Sequence, residues 1–401
     1  MDIYYIIVIV IMIMIIDVVL VGITSAVLGT WIYLFLYALK TYRYAPRLEH
    51  VEITTEPRVD IIVPARNEER FIGRCLDSLL NQDYKNYRII AVDDASTDGT
   101  AEMIGKYADK SDRVKFIRLD SKPDGWVGKN WACYNAYLNS NAELLLFTDA
   151  DTLHNPRLLR LAVSSMLRDD LDVLTLVPRL ECIDRWSKAT VPLLLTFLYS
   201  RYSPLRVNDS KSNVGYFFGS YYIIKRSVYE AIGTHSSVRN EIIEDGALGS
   251  RTKGMGFKLR MYLADELFYA IWSRDIKTLI NGLARLMLPI YALSKGKAIG
   301  IVALIFFLFV YPVILVPYSL LVSSNLLLYI SLAIDTIMVM TSTLHTLKGI
   351  GIRVNAMYGL CAPFTAFIIF YGFLMGMRGS GVRWRDRVYS YNVYRADGFR
   401  L

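Results

Sequence analysis

Residues 18–39 carry no charged side chain. As a helix these 22 residues would measure about 33 Å, which matches a bilayer hydrocarbon core of roughly 30 Å. Another apolar stretch, residues 3–16, precedes them, with Asp17 between. A cleaved signal peptide would have a basic start and a shorter apolar core; here Asp2 is the single charge ahead of the run. Lys40, Arg43 and Arg47 follow, so the positive-inside rule predicts an N-terminus outside and everything after Lys40 in the cytosol. Asp17 is expected at the outer interface, as a solvated helix end.

The chain is apolar again over residues 298–334, a run too long for one span. The polar break at Ser323, Ser324 and Asn325 predicts two spans, at about 299–322 and 325–347. A third stretch, 354–377, has basic flanks on both sides: Lys348 and Arg353 before it, Arg378, Arg383, Arg385 and Arg387 after it. Either this stretch is re-entrant, broken at Pro363, or the tail lies outside. Asp335 falls inside the preceding span, where a carboxylate costs about 2.5–3.5 kcal/mol on insertion scales. It is expected either to wall an acceptor path or to be protonated or paired within the helix bundle.

Between these blocks the composition is that of a soluble domain. Over the 401 residues, 54% are hydrophobic and 20% charged, which is too apolar for a disordered or ordinary soluble chain and too polar for membrane helices throughout. The net charge of +8 comes without any Lys/Arg run interleaved with aromatics, so anionic lipid or anionic small molecules are the expected partners and nucleic acid is not. Cys75, Cys133, Cys182 and Cys361 form no CxxC pair, which argues against zinc or disulfides and fits a reducing cytosol.

Residues 56–265 alternate strand and helix patterns. Strands are predicted at 59–63, 88–92, 114–119 and 144–148, and helices at 69–80, 98–107 and 128–139. That order predicts an α/β fold with a mostly parallel sheet and helices on both faces, its ligands at the carboxyl ends of the strands. The polar residues cluster at those ends. Pro64 is expected to stop the first strand, leaving Arg66, Asn67 and Glu68 at the edge. Asp93 and Asp94 end the second, where two acids can accept from a base N–H and a ribose hydroxyl; a strand-end turn with a helix cap is the alternative. In the loop 122–131, Gly125 and Gly128 allow close approach, and Lys129 begins a helix whose positive end favours an anion such as a diphosphate. Asp149 and Asp151 end the fourth strand; paired hard oxygen ligands suit Mg²⁺ or Mn²⁺. Glu244 and Asp245 either compensate a helix dipole or supply a general base. Residues 263–293 mix apolar residues with Arg274, Asp275, Lys277 and Arg285 and carry Tyr269, Trp272 and Tyr291: an interfacial amphipathic stretch, or a helix packed on the sheet.

The segments PARNEE (64–69), VDDASTDGT (92–100) and GWVGKNWA (125–132), the D-x-D at Asp149 and Asp151, and the later Glu244-Asp245 occur in an order that resembles family 2 inverting glycosyltransferases of the GT-A fold. The flanking spans, and the tail VRWRDRVY at 382–389, resemble enzymes that glycosylate carotenoid- or hopanoid-type lipids, whose tail reads W-R-G-R-x-Y; here Asp386 stands in place of Gly. The resemblance implies a nucleotide-sugar donor, UDP-linked first of all, and a lipid acceptor. It implies that Pro64, Ala65, Arg66, Asn67, Glu68, Asp93, Asp94, Trp126, Lys129 and Asp149 hold the donor, that Asp149 and Asp151 hold the metal, and that Asp245 is the base, oriented by Glu244. The implied organisation is an N-terminal transmembrane helix (1–41), a catalytic domain (56–265), interfacial amphipathic helices (266–296), about three C-terminal spans (297–378) and a basic tail (379–401), in a multi-pass cell-membrane protein with its catalytic domain in the cytoplasm. A Q-x-x-R-W segment after Asp245, typical of processive synthases, is absent from the sequence. The acidic pair favours a hydroxyl acceptor, which needs proton removal, over a polyprenyl phosphate, which does not. A processive synthase, a polyprenyl-phosphate glycosyltransferase and a nucleotide-sugar-binding scaffold with a dead site remain the alternatives.

Overall fold

The computed structural model describes residues 3–50, 52, 55–350, 355–378, 382–384 and 386–389. Asp2, Arg353 and Arg385, and the tail beyond Tyr389, lie outside the described residues.

A single helix, α1 (Ile3–Tyr44), takes in both N-terminal apolar stretches without a break at Asp17. The soluble domain follows as β1 (Val59–Ala65), α2 (Glu69–Leu80), β2 (Tyr87–Asp94), α3 (Thr100–Lys110), β3 (Val114–Leu119), α4 (Gly128–Leu138), β4 (Leu144–Thr148), β5 (Thr152–His154), α5 (Leu158–Arg168), β6 (Val173–Val177), β7 (Arg179–Glu181), α6 (Arg185–Tyr202), α7 (Pro204–Val207), β8 (Tyr221–Lys225), α8 (Arg226–Ala231), α9 (Glu244–Gly254), β9 (Leu259–Leu263) and β10 (Phe268–Ile271). Then come α10 (Ile276–Leu293), α11 (Lys295–Ile305), α12 (Tyr311–Leu321), α13 (Asn325–Gly349), α14 (Ala362–Met375) and a hairpin of β11 (Val382–Trp384) and β12 (Arg387–Tyr389).

The main sheet has the order β3-β2-β1-β4-β8-β6-β9 and is parallel except for β8, which runs against both β4 and β6. Its strands read as continuous apolar runs because both faces are buried. Successive residues alternate faces: Ile61 and Val63 pack with Ile72, Cys75 and Leu76 of α2, whereas Ile62 packs with Ala132, Cys133 and Ala136 of α4. The α/β expectation holds. Two local expectations do not. Pro64 does not end β1, which continues to Ala65 in register with Asp93; the β4 pairing stops at Ile62, so that side asks no amide of residue 64. The stretch 266–296 is not amphipathic helix throughout: Phe268–Ile271 is a strand in a small second sheet, β5-β10-β7, and only α10 is the helix.

Among the described residues, five helical segments are long and apolar enough to cross a membrane: Ile15–Tyr44, Ile276–Leu293, Lys295–Leu321, Asn325–Gly349 and Ala356–Met375. Contacts sort them. The end of α1 reaches the sheet, where the Leu263 amide donates to the Pro46 carbonyl at 2.9 Å. The end of α13 also returns to the soluble domain, through a bridge between Ile350 and Leu180. Segment 295–321 and α13 are joined by residues 322–324, so the break predicted at Ser323, Ser324 and Asn325 falls there except that Asn325 already begins α13; both pack against α1. Trp31 of α1, fully buried, donates Nε1–H to the Leu308 carbonyl at 2.7 Å, in a π-helical turn (Phe306–Val310) that leaves carbonyls available to such partners. By contrast α10 runs along the soluble domain, from Arg274 beside Glu68 and Asp151 to Leu288 beside Val127 and Ile242. Helix α14 lies on α10 and α6, and the chain beyond it touches the soluble domain again. Pro363 does not break α14; it sits in the first turn, where a missing N–H costs nothing. Asp335, partly buried in α13, has an Oδ1 without a hydrogen-bond partner, and the site cavity described below does not reach it.

Candidate active site

Two adjacent cavities lie at the carboxyl ends of β1, β2 and β4. The larger, about 550 Å³, is lined by Lys129, Asp149, Asp151, Glu244 and Asp245. It extends to an apolar wall that includes Leu195 and Leu198 of α6 and Leu286 of α10. Tyr202 and Tyr216 stack beside each other on its rim, ring centres 4.2 Å apart. A volume of this size admits a small organic ligand.

Lys129 ties the acids together. Its Nζ is 2.8 Å from Asp149 Oδ1 and 2.8 Å from Glu244 Oε1, so a residue at the start of α4 joins the end of β4 to the start of α9. Burial alone would lower the ammonium pKa, but Asp149, Glu244 and Asp245 outweigh it and hold the group well above the usual lysine value. Burial likewise opposes ionisation of Glu244, yet Lys129 pulls its carboxyl below the usual value. Asp245 behaves oppositely: burial, then the Glu244 charge, lift it to about 7. It is also held in place. Gly219 N–H donates to Oδ2 at 2.9 Å and Gly246 N–H to Oδ1 at 2.8 Å. A carboxylate that lines the cavity and titrates near neutrality is suited to proton removal, whereas Glu244, pinned by Lys129, is suited to orienting. Histidine cannot take the role: none lines the cavity, and burial holds His154 and His235 at about 3.

Asp149 and Asp151 share the cavity but not their partners. Arg274 Nη2 is 3.2 Å from Asp151 Oδ2 and pairs also with Glu68, while its guanidinium lies over the Phe71 ring at 4.5 Å. Among the described residues no three acidic, histidine or cysteine side chains form a metal cage. Two carboxylates facing one cavity nevertheless fit a Mg²⁺-like ion, which takes one or two protein carboxylates and completes its shell with phosphate oxygens and water.

The smaller cavity, about 50 Å³, is lined by Pro64, Ala65, Arg66, Glu68, Asp94 and Lys129 together with Arg387 and Tyr389. Arg66 Nη1 donates to the carbonyls of Asp94 and Ala95 at 2.5 and 2.6 Å and so braces the ends of β1 and β2. Asn67, at φ 53°, receives Thr97 N–H on its side-chain oxygen at 2.8 Å. Asp93 is wholly buried: Oδ2 accepts from Ser96 N–H at 3.3 Å and Oδ1 has no hydrogen-bond partner. Trp126 faces elsewhere, packing on Trp131 and Tyr134, and lines neither cavity. Thus Pro64–Glu68, Asp94, Lys129, Asp149, Asp151, Glu244 and Asp245 converge, and Asp93 lies just behind them.

Three groups at this site escape a reading of local motifs: Gly219, Arg274, and the tail residues Asp386, Arg387 and Tyr389. The tail alone left a trace, in its W-R-x-R-x-Y pattern.

Residues 60–233 match the family model Glycosyl transferase family 2. The chain is 28% identical over 243 residues to a 4,4'-diaponeurosporenoate glycosyltransferase of Staphylococcus haemolyticus (strain JCSC1435), covering 57% of this chain and 60% of that protein. It is 29% identical over 208 residues to the protein of the same name from Staphylococcus aureus (strain USA300), covering 50% and 53%. The chain thus spans little more than half the length of these curated relatives. A mannosyltransferase from Pyrobaculum calidifontis, solved with GDP-Man and Mn²⁺, superposes with a TM-score of 0.49 at 18% identity, covering 82% of this chain and 99% of that one.

Proposed function

We propose, from the match of residues 60–233 to the Glycosyl transferase family 2 model, that the protein transfers a sugar from a nucleotide-diphosphate donor to a hydroxyl of a membrane lipid, once per acceptor and with inversion. The observation that carries this reading is the single cavity that joins Lys129, Asp149, Asp151, Glu244 and Asp245 to an apolar wall of α6 and α10. The donor comes from water at the strand ends, and the acceptor comes from the lipid side.

In this mechanism Asp245 accepts the proton of the acceptor hydroxyl, and Glu244, fixed by Lys129, keeps it aimed. The acceptor oxygen forms its bond to the anomeric carbon as the bond to the diphosphate breaks, through an oxocarbenium-like state. Lys129 faces the departing diphosphate and offsets its charge. Asp149 and Asp151 would hold a divalent ion, Mg²⁺ or Mn²⁺, which when bound supplies further positive charge to that leaving group. Arg66, Asn67, Glu68, Asp93 and Asp94 shape the nucleotide's place. The names of the two Staphylococcus relatives support a carotenoid-type acceptor but name a carboxylate, diaponeurosporenoate; transfer to a carboxylate would give a glycosyl ester and need no base, so an ester product would count against the hydroxyl reading.

The contacts support one membrane arrangement. In it α1, the 295–321 segment and α13 cross, with α10 and α14 along the cytoplasmic face; the packing of α14 on α10 and α6 supports it. Lys40, Arg43 and Arg47 at the end of α1 support a cytosolic catalytic domain by the positive-inside rule.

The test is direct. Purified protein is incubated with Mn²⁺, radiolabelled UDP-sugars and total membrane lipid, and labelled products are identified by mass spectrometry. A lipid carrying one sugar through an O-glycosidic (acetal) linkage to its hydroxyl is expected. A polymer, a sugar phosphate or no transfer to any lipid would contradict the proposal.

A further inference from the structure

The donor pocket is closed by the chain's own tail. Contacts from Asp386, Arg387 and Tyr389 make the closure; two fall on Asn67 and Asp94, which the proposed function assigns to the nucleotide, and the third on Gly128. Asn67 Nδ2 donates to Asp386 Oδ2 at 2.6 Å. Arg387 donates from Nη1 to Asp94 Oδ2 at 2.5 Å and from Nη2 to Asp94 Oδ1 at 3.0 Å, a two-pronged pair with both partners largely out of solvent. The Gly128 amide, at the positive end of α4, hydrogen-bonds to the Tyr389 phenol. A side chain on Gly128 would run into both the Arg387 guanidinium and the Asp94 carboxylate, so the tail is seated to atomic contact. What remains of the pocket is about 50 Å³, far below the roughly 300 Å³ at which ligand pockets begin.

Asp386 is the residue that departs from the W-R-G-R-x-Y pattern. It takes up φ 65°, a conformation that glycine adopts freely. The aspartate thus adds the bond to Asn67 at a position whose backbone favours glycine.

We propose that the β11–β12 hairpin is a lid on the donor site: Arg387 holds Asp94, and Asp386 holds Asn67, until a nucleoside diphosphate displaces them. The nucleotide's own hydrogen-bond donors take over Asp94, and its diphosphate takes the α4 amide that Tyr389 now occupies. Donor affinity is therefore the intrinsic affinity multiplied by the fraction of molecules with the lid open. The inference rests on the proposed function, because it needs a nucleotide to open for.

Full-length protein in detergent, with Mn²⁺, is titrated with UDP and separately with GDP by calorimetry, as wild type, Arg387→Gln and Asp386→Gly. The glycine variant suits the turn's backbone and guards against a folding defect in the other. Both variants are expected to bind whichever nucleotide the wild type binds about three- to tenfold more tightly. Saturating nucleotide should also speed amide hydrogen exchange in residues 386–389 of the wild type. Wild-type binding that is unchanged or weakened in both variants, or a hairpin that nucleotide protects from exchange, would overturn the lid and leave the proposed function standing. No binding of either nucleotide by any of the three proteins would overturn both.

Discussion

The backbone amide of Gly219 lies 2.9 Å from Oδ2 of Asp245, and a β-carbon on residue 219 would stand 2.6 Å from that same oxygen. The amide that positions the carboxylate can come this close because residue 219 has no side chain. Gly219→Ala should push Asp245 out of line while the fold survives. The expected outcome is a fall in kcat of about 10²-fold with an unchanged melting temperature.

Burial and the neighbouring Glu244 charge raise the Asp245 carboxyl to about 7. A base acts only when deprotonated, so kcat/KM should climb tenfold per pH unit below about 7 and level off above it. Glu244→Gln removes the second of the two influences that raise this group. The inflection should then move to lower pH, which a pH profile of the variant would record.

Lys129 stands between Asp149 and Glu244 at 2.8 Å from each. Lys129→Met leaves two carboxylates facing each other around an apolar chain. Removing one partner of a buried ion pair costs about 3–5 kcal/mol; since Asp149 keeps some solvent contact, the lower end, about 3 kcal/mol, is expected in chemical denaturation. Turnover should fall with it.

Asp151 pairs with Arg274 while Asp149 pairs with Lys129, so neither acid forms a protein-only metal cage. Metal affinity should therefore depend on the donor's phosphates. Calorimetry should detect Mn²⁺ binding only weakly alone and strongly with a nucleoside diphosphate. EDTA should abolish transfer, and Asp151→Ala should remove the metal dependence of donor binding.

The parallel half of the sheet was legible because β1 to β4 are apolar runs spaced by amphipathic helices, a pattern set by local burial. The antiparallel β8 was not: Tyr221–Lys225 looks like any short apolar strand, and its direction is decided by the turn at Gly219 and Ser220 and by two long-range partners. The acids of the site could be read because each ends a strand or starts a helix. Arg274 and Arg387 could not, because they reach Asp151 and Asp94 across 123 and 293 residues of sequence. The contact pattern of α14 was hidden in the same way, since its basic flanks fit two topologies and the tail's contacts with Asn67 and Asp94 join residues far apart in sequence.

Single-turnover transfer by Asp245→Asn, with donor affinity measured on the same preparation, addresses proton removal by Asp245 most directly. The account predicts a wild-type donor Kd and a rate lower by about 10²–10⁴. A variant that transfers sugar at close to the wild-type rate would contradict it.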